Sequence, residues 1–250
     1  MVRYKVILIY DGTNFFGFQR QSEESNTRTV QGEVEETLRK IGWDGQTLIG
    51  AGRTDTGVHA SGQVIAFDFD WKHPEDKLLA ALNYNLPTDI AVKSVQSVNS
   101  DFHPRFDAVS RIYQYRIFCQ PVRDPLRERY AWRVWPEVDA NLIGKAAEIL
   151  LGTHDFVNFG KPMKPGGSTV RKVINSRWTS QGIGGIYEIE ANAFLYHMVR
   201  RIVRILTAIG QSKLGSDELI NELKGKSTEI LQGIAPQHGL SLVEVVYPEK

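Results

Sequence analysis

The sequence has a single cysteine, Cys119, in 250 residues. It cannot form an intramolecular disulfide, and one lone thiol fits a reducing compartment. The six histidines do not combine with it at metal-ligand spacing. No apolar run approaches the length that spans a bilayer. The first ten residues, MVRYKVILIY, lack a secretory-signal layout, because their apolar stretch is short and alternates as a strand does. The cytoplasm is therefore the expected location. There is no Gly-x-x-x-x-Gly-Lys-Ser/Thr segment to cradle a nucleotide. There is also little excess charge of either sign, with 30 Lys+Arg against 29 Asp+Glu. With 42% hydrophobic residues, the chain can bury a sizeable core, as one large domain or two medium ones.

The even balance hides a local asymmetry. Residues 1–106 carry 11 basic and 14 acidic side chains, and residues 107–250 carry 19 and 15. From Arg105 to Arg133 there are seven arginines, at 105, 111, 116, 123, 127, 129 and 133, and no lysine. Phe106, Tyr113, Tyr115, Phe118, Tyr130 and Trp132 are interleaved with them. Guanidinium forks match phosphate oxygens and aromatic faces stack on bases, so nucleic acid is the expected partner of this segment.

Hydrophobic periodicity gives a strand over 2–9 and a helix from a Thr29 cap to about Lys40, with Val30, Val34, Leu38 and Ile41 on one face. Strands near 46–50 and 63–70, a helix opened by Pro74, and an alternating strand over 90–98 complete a β-α-β-β-α-β order, close to a ferredoxin-like split unit. The loop YDGTNFFGFQR at 10–20 carries three phenylalanines. The second part reads as strands near 109–119, 129–135, 170–180 and 184–192, helices near 139–151 and 194–209, a short helix capped by Ser216, and a closing strand over 240–247. The expected fold is α+β: two ferredoxin-like (RRM-like) halves, 1–106 and 107–250, with a mostly antiparallel extended sheet and a central active-site cleft.

The densest candidate site is GAGRTDTGVHASGQV at 50–64. Its glycines permit a tight turn and close approach of a ligand. A lone Asp in such a turn is usually a local hydrogen-bond acceptor. Arg53 stands two residues before Asp55, so on an extended segment the two share a face, where the guanidinium would keep the carboxylate ionised or hold a phosphate beside it. Further along, ANAFLYHMVRRIVRILTAIG at 191–210 sets His197, Arg200, Arg201 and Arg204 at i, i+3, i+4 and i+7 of an otherwise apolar helix. Arginines on a helix this apolar are expected to face a cleft or a partner's charge, the alternative being a basic surface stripe on an amphipathic helix.

The segment GRTDTGVH at 52–59 resembles the catalytic-loop signature of the tRNA pseudouridine synthase A family, with Thr56 where the family pattern often has Ala. The resemblance extends in order to YDG at 10–12, FGFQ at 16–19, DFHPRFDA at 101–108, RIY at 111–113, NAFLYHMVR at 192–200, and the tail residues Ala235, Pro236, Gly239 and Leu240. It implies an isomerase that converts uridine to pseudouridine at positions 38, 39 and 40 of the tRNA anticodon stem-loop, acting as a homodimer without metal or organic cofactor. It implies Asp55 as the catalytic nucleophile and Arg200 as its partner in catalysis. It also implies Arg53 as a second active-site arginine and Tyr113 as the ring against the target base. Arg111 and His59 complete the expected substrate contacts, although His59 better suits fixing the loop. A non-catalytic RNA-binding module with the same basic cleft would explain the arginine segment but not the constrained Arg53–Asp55 loop. A phosphate-ester hydrolase would need a metal and further carboxylates.

Overall fold

A computed structural model describes residues 1–21, 27–226 and 233–248. In chain order its elements are β1 (Val2–Tyr10), α1 (Val30–Lys40), β2 (Ile49–Gly50), β3 (His59–Phe69), α2 (Glu75–Asn85), β4 (Ile90–Val98), β5 (Ser110–Cys119) and β6 (Trp132–Val134). There follow α3 (Ala140–Glu148), β7 (Gly152–Asp155), β8 (Val170–Gln181), β9 (Gly184–Ala191), α4 (Met198–Gly210), α5 (Ser216–Leu223) and β10 (Leu240–Val246). The fold is α+β with mostly antiparallel strands. The chain divides into two compact units, Met1–Val109 with the segment from Ser241 onward, and Ser110–Leu240.

In the first unit the strand order is β4-β1-β3-β10, with β2 on β3. β1 runs antiparallel to both neighbours, Val6 facing Ile65 on one side and Val95 on the other. The alternation in β1 turns Tyr4, Val6, Leu8 and Tyr10 inward, all at most 4% exposed. Val30, Val34 and Leu38 of α1 and Leu78 and Leu82 of α2 are buried too. Each such aliphatic side chain contributes about 1.5–3 kcal/mol. Thr29 caps α1 as its sequence position suggests, its side chain accepting from the Gly32 N–H at 3.2 Å. The closing strand β10 lies parallel to β3, with Ser241 opposite His59.

In the second unit the order is β5-β9-β8-β7, with β6 parallel to β5. Tyr115, Tyr187 and Ile189 are buried on one face of this sheet. α3 packs on β8 and α4. The Ser176 hydroxyl, 2.8 Å from the Ala147 carbonyl, ties β8 to α3, and it shares a hydrogen bond with the Tyr187 phenol. Burial raises the Tyr187 pKa.

Several local expectations shift. β6 is three residues, not seven, because 121–131 is a chain of turns. β7 carries no apolar alternation that would mark it in the sequence. The helix expected from 194 begins at Met198, because His197 takes a left-handed conformation, φ 67°. Ser216 is the first helical residue of α5, and Gly215 holds the cap position without a side-chain bond.

Candidate active site

The Asp55 loop, residues 51–58, is tied down along both edges. At its base the Ala51 N–H donates to the Val64 carbonyl at 2.8 Å, and Gln63 Nε2 donates to the Gly52 carbonyl at 2.9 Å. Across from it, the 10–18 loop forms the second support. Phe18 N–H reaches the Thr54 carbonyl at 3.1 Å, Gly57 N–H reaches the Phe15 carbonyl at 3.2 Å, and the Tyr10 phenol shares a 2.8 Å bond with Thr54 Oγ1. Thr54, Gly57 and Val58 are buried, whereas Asp55 is half-buried and Arg53 exposed. Arg53 is thus exposed and Asp55 half-buried on a segment whose buried residues are fixed.

Two glycines permit this contact. Gly17 has φ +87°, and a Cβ there would lie 2.8 Å from the Thr54 carbonyl oxygen. At Gly12 a Cβ would overlap the Val58 carbonyl. The 10–18 loop is itself held from behind. Arg28 donates to both oxygens of Asp89 at 2.6 and 2.9 Å and to Glu33 at 2.7 Å, with its guanidinium carbon 4.2 Å from the centre of the Phe15 ring. The Asp89 hydrogen bond raises the Arg28 pKa. Of the three phenylalanines, Phe15 and Phe18 are buried at 1% and 3%, and only Phe16 is exposed.

His59 is the first residue of β3 and is 7% exposed. Its Nδ1 accepts from the Gly12 N–H at 3.0 Å. Asp11 Oδ1 lies 3.2 Å from the same nitrogen, but a lone pair already holding an amide proton leaves no Nδ1 hydrogen for that carboxylate. Asp11 Oδ1 instead accepts from the Thr13 N–H and hydroxyl at 3.0 and 2.6 Å. His59 thus fastens the end of the loop to the 10–18 support.

The other expected residues lie in the second unit. Tyr113 is half-buried on β5, opposite Ile189, and its ring meets the edge of Phe194 at 5.0 Å and 84°. Arg111, on the same strand, donates to the Asn192 carbonyl at 3.0 Å. Arg200 lies in the first turn of α4 and is 9% exposed. Its Nε donates to the Ala235 carbonyl at 2.7 Å, and its own carbonyl accepts from the Ala235 N–H at 3.0 Å. The Tyr115 phenol donates to the Pro236 carbonyl at 2.7 Å. The tail residues that the sequence showed only as part of a signature are therefore the anchors of Arg200 and Tyr115. Such a partner, 35 residues distant, leaves no local signal. In the arginine segment Glu128 pairs with Arg123 at 3.0 Å and Arg133 at 2.8 Å, and Asp124 pairs with Arg127 at 3.3 Å. Arg116 is exposed.

A family model described as tRNA pseudouridine synthase matches residues 6–107 and 146–248. The chain belongs to the tRNA pseudouridine synthase family. It is 39% identical over 248 residues to tRNA pseudouridine synthase A of Colwellia psychrerythraea, covering 99% of this chain and 95% of the relative. The corresponding proteins of Brevibacillus brevis and Fervidobacterium nodosum are 39% and 38% identical over 99% of this chain and 100% of their own length. The chain is accordingly an isomerase acting on tRNA: it moves the ribosyl attachment of uracil from N1 to C5 with no change in composition. Among the described residues no helix is long and apolar enough to cross a membrane, and no group of three or more His, Cys, Asp or Glu side chains is placed to hold a metal ion.

Proposed function

We propose that this synthase forms pseudouridine at positions 38, 39 and 40 of the tRNA anticodon stem-loop, with Asp55 as nucleophile. The observation that supports this reading is the Asp55 loop: a half-buried carboxylate two residues from an exposed arginine, on a backbone hydrogen-bonded along both edges. Rigid presentation of one reactive group is what nucleophilic catalysis needs.

In this reading the Asp55 carboxylate attacks either C1′ or C6 of the target uridine. Attack at C1′ forms an acyl bond and breaks the C1′–N1 bond, the electron pair leaving on uracil. The freed base rotates, C5 bonds to C1′ and expels the carboxylate, C5 releases its proton and N1 takes one up. Attack at C6 forms a C6–O bond and places the electron pair on C5 and O4; the C1′–N1 bond then breaks, the held base turns, C5 bonds to C1′, and loss of the C5 proton with expulsion of the carboxylate from C6 gives the same product. No electron acceptor or energy source is consumed, so the reaction is proposed to need no metal or organic cofactor. The target base must leave its stack, which costs a few kcal/mol. Tyr113 is proposed to offer a ring that returns about 1–3 kcal/mol. Arg53 and Arg200 are proposed as the active-site arginines, Arg111 as a contact to the RNA backbone, and His59 as the fastener of the loop. The enzyme is proposed to act in the cytoplasm as a homodimer, which sedimentation would check.

The test is to incubate the purified protein with unmodified tRNA transcripts and to map pseudouridine by carbodiimide adducts and primer extension. Modification at 38, 39 and 40, persisting in chelator with prefolded tRNA, is expected. Modification confined to other positions, or a metal requirement with prefolded tRNA, would overturn this assignment.

A further inference from the structure

We propose that Phe106, with Arg105 beside it, is a stacking platform for an unstacked base of the tRNA substrate. This rests on the reading of the chain as a tRNA-modifying enzyme. Phe106 is 75% exposed, so burial does not explain a phenyl ring at that position. The ring is nevertheless held. His103 Nδ1 accepts from the backbone N–H groups of Arg105 and Phe106 at 3.2 and 3.3 Å, and Asp107 Oδ2 accepts from the His103 N–H at 2.9 Å. The Asp107 N–H closes the turn on the His103 carbonyl at 3.1 Å. The His103 ring backs the Phe106 ring at 4.2 Å and 32°.

The whole turn is fixed to the closing segment of its own unit. The Tyr247 phenol donates to the Pro104 carbonyl at 2.7 Å, and the Val109 N–H donates to the Val246 carbonyl at 2.9 Å. With one side backed by imidazole and three quarters of its surface open, Phe106 presents a face to solvent at little cost in ordering. The exposed Arg105 guanidinium lies 5.9 Å from the ring centre. A fixed aromatic face next to a guanidinium is the pairing that takes a base and its phosphate.

A protein partner fits less well. A stable protein interface buries about 800 Å² on each side. Here the ring stands between charged and polar neighbours, Arg105 and Asp107, with Val109, 48% exposed, as the exposed large apolar residue near it in the chain.

Four measurements test the proposal. Phe106→Ala should raise the Kd for tRNA roughly 5- to 150-fold, the range that about 1–3 kcal/mol of stacking represents. Phe106→Trp should bring the Kd back to within about three-fold of the parent. Tyr84→Ala, which removes an 89%-exposed aromatic elsewhere in the same unit, should leave the Kd unchanged. With p-benzoylphenylalanine at position 106, irradiation of the tRNA complex should join the chain to RNA. A Phe106→Ala protein that binds tRNA as tightly as the parent would overturn the proposal, as would cross-linking only between two copies of the chain. If the parent protein itself neither binds nor modifies tRNA, the reading of the family's activity fails instead, and that outcome is seen before any variant is made.

Discussion

Substituting Gly17 by Ala tests whether the 10–18 loop positions Asp55. The added methyl would lie 2.8 Å from the Thr54 carbonyl oxygen, 3.4 Å from the Asp55 carbonyl carbon and 3.4 Å from the Thr56 nitrogen. An unstrained carbon–oxygen contact is about 3.3 Å. The two loops must therefore part by about 0.5 Å, and all three atoms are backbone, so no side chain can swing aside. The residue would also sit at φ +87°, which costs an alanine about 1–3 kcal/mol. Parting the loops weakens the Phe18–Thr54 and Gly57–Phe15 bonds, each worth about 1 kcal/mol net. The summed loss of stability is about 2–4 kcal/mol. Because a 1 Å misplacement can cost about 10²-fold in rate, a shift of half that predicts roughly a ten-fold slower chemical step. Urea unfolding gives the first number, and single-turnover tritium release from tRNA carrying 5-tritiated uridine gives the second. Gly52→Ala is the control, since a Cβ there meets nothing within 4 Å. A Gly17→Ala protein within about 0.5 kcal/mol and two-fold of the parent would refute the argument, because the backbone strain and the steric displacement each predict more than that margin.

The remaining predictions concern charge and burial. Arg116→Ala should flatten the log–log salt dependence of tRNA binding by about 0.7–0.9 for each phosphate left without its guanidinium, whereas Glu128→Gln, which frees Arg123 and Arg133, should steepen it; unchanged slopes for both would remove this segment from the RNA interface. Asp68 is held below the usual carboxylate range by its hydrogen bonds from Arg3, at 2.7 and 2.8 Å. Its contribution is therefore present above the unfolded pKa and lost as pH falls through the lower folded value. Asp68→Asn should cost about 0.5–1 kcal/mol in urea melts at pH 7 and progressively less below about pH 4, and a cost that grows with acidification would contradict the assignment. Burial pushes the Cys119 thiol up. Iodoacetamide at pH 8 should label it only at the rate of unfolding, and rapid stoichiometric labelling of the folded protein would contradict its buried position.

What was legible in the sequence was what short-range periodicity carries. The alternation of β1, the Thr29 cap and the β-α-β-β-α-β order of the first unit all follow from residues within a turn or two of one another. The entry of α4 was not legible. Nothing in NAFLYH breaks a helix, and the helix starts late because the Tyr196 N–H and carbonyl pair with Lys161 of a distant loop and His197 turns left-handed. The hold on Arg200 by Ala235 was hidden for the same reason. Glu128 shows the limit of reading charge from composition: the arginine run looks open in the sequence, yet one carboxylate occupies two of its members. In the 10–20 loop, burial of Phe15 and Phe18 but not Phe16 depends on Gly17 turning the chain through a positive φ.

The central claim is that Asp55 is the nucleophile of a tRNA pseudouridine synthase. The most direct measurement is single-turnover tritium release from 5-tritiated-uridine tRNA by Asp55→Asn, with Asp55→Ala in parallel and with tRNA affinity and unfolding measured on the same preparations. The claim predicts a loss of at least about 10³-fold in the chemical step, as for other enzymes stripped of their nucleophile, with folding and tRNA binding largely intact. Turnover by the Asn protein within about ten-fold of the parent, far short of that loss, would contradict it.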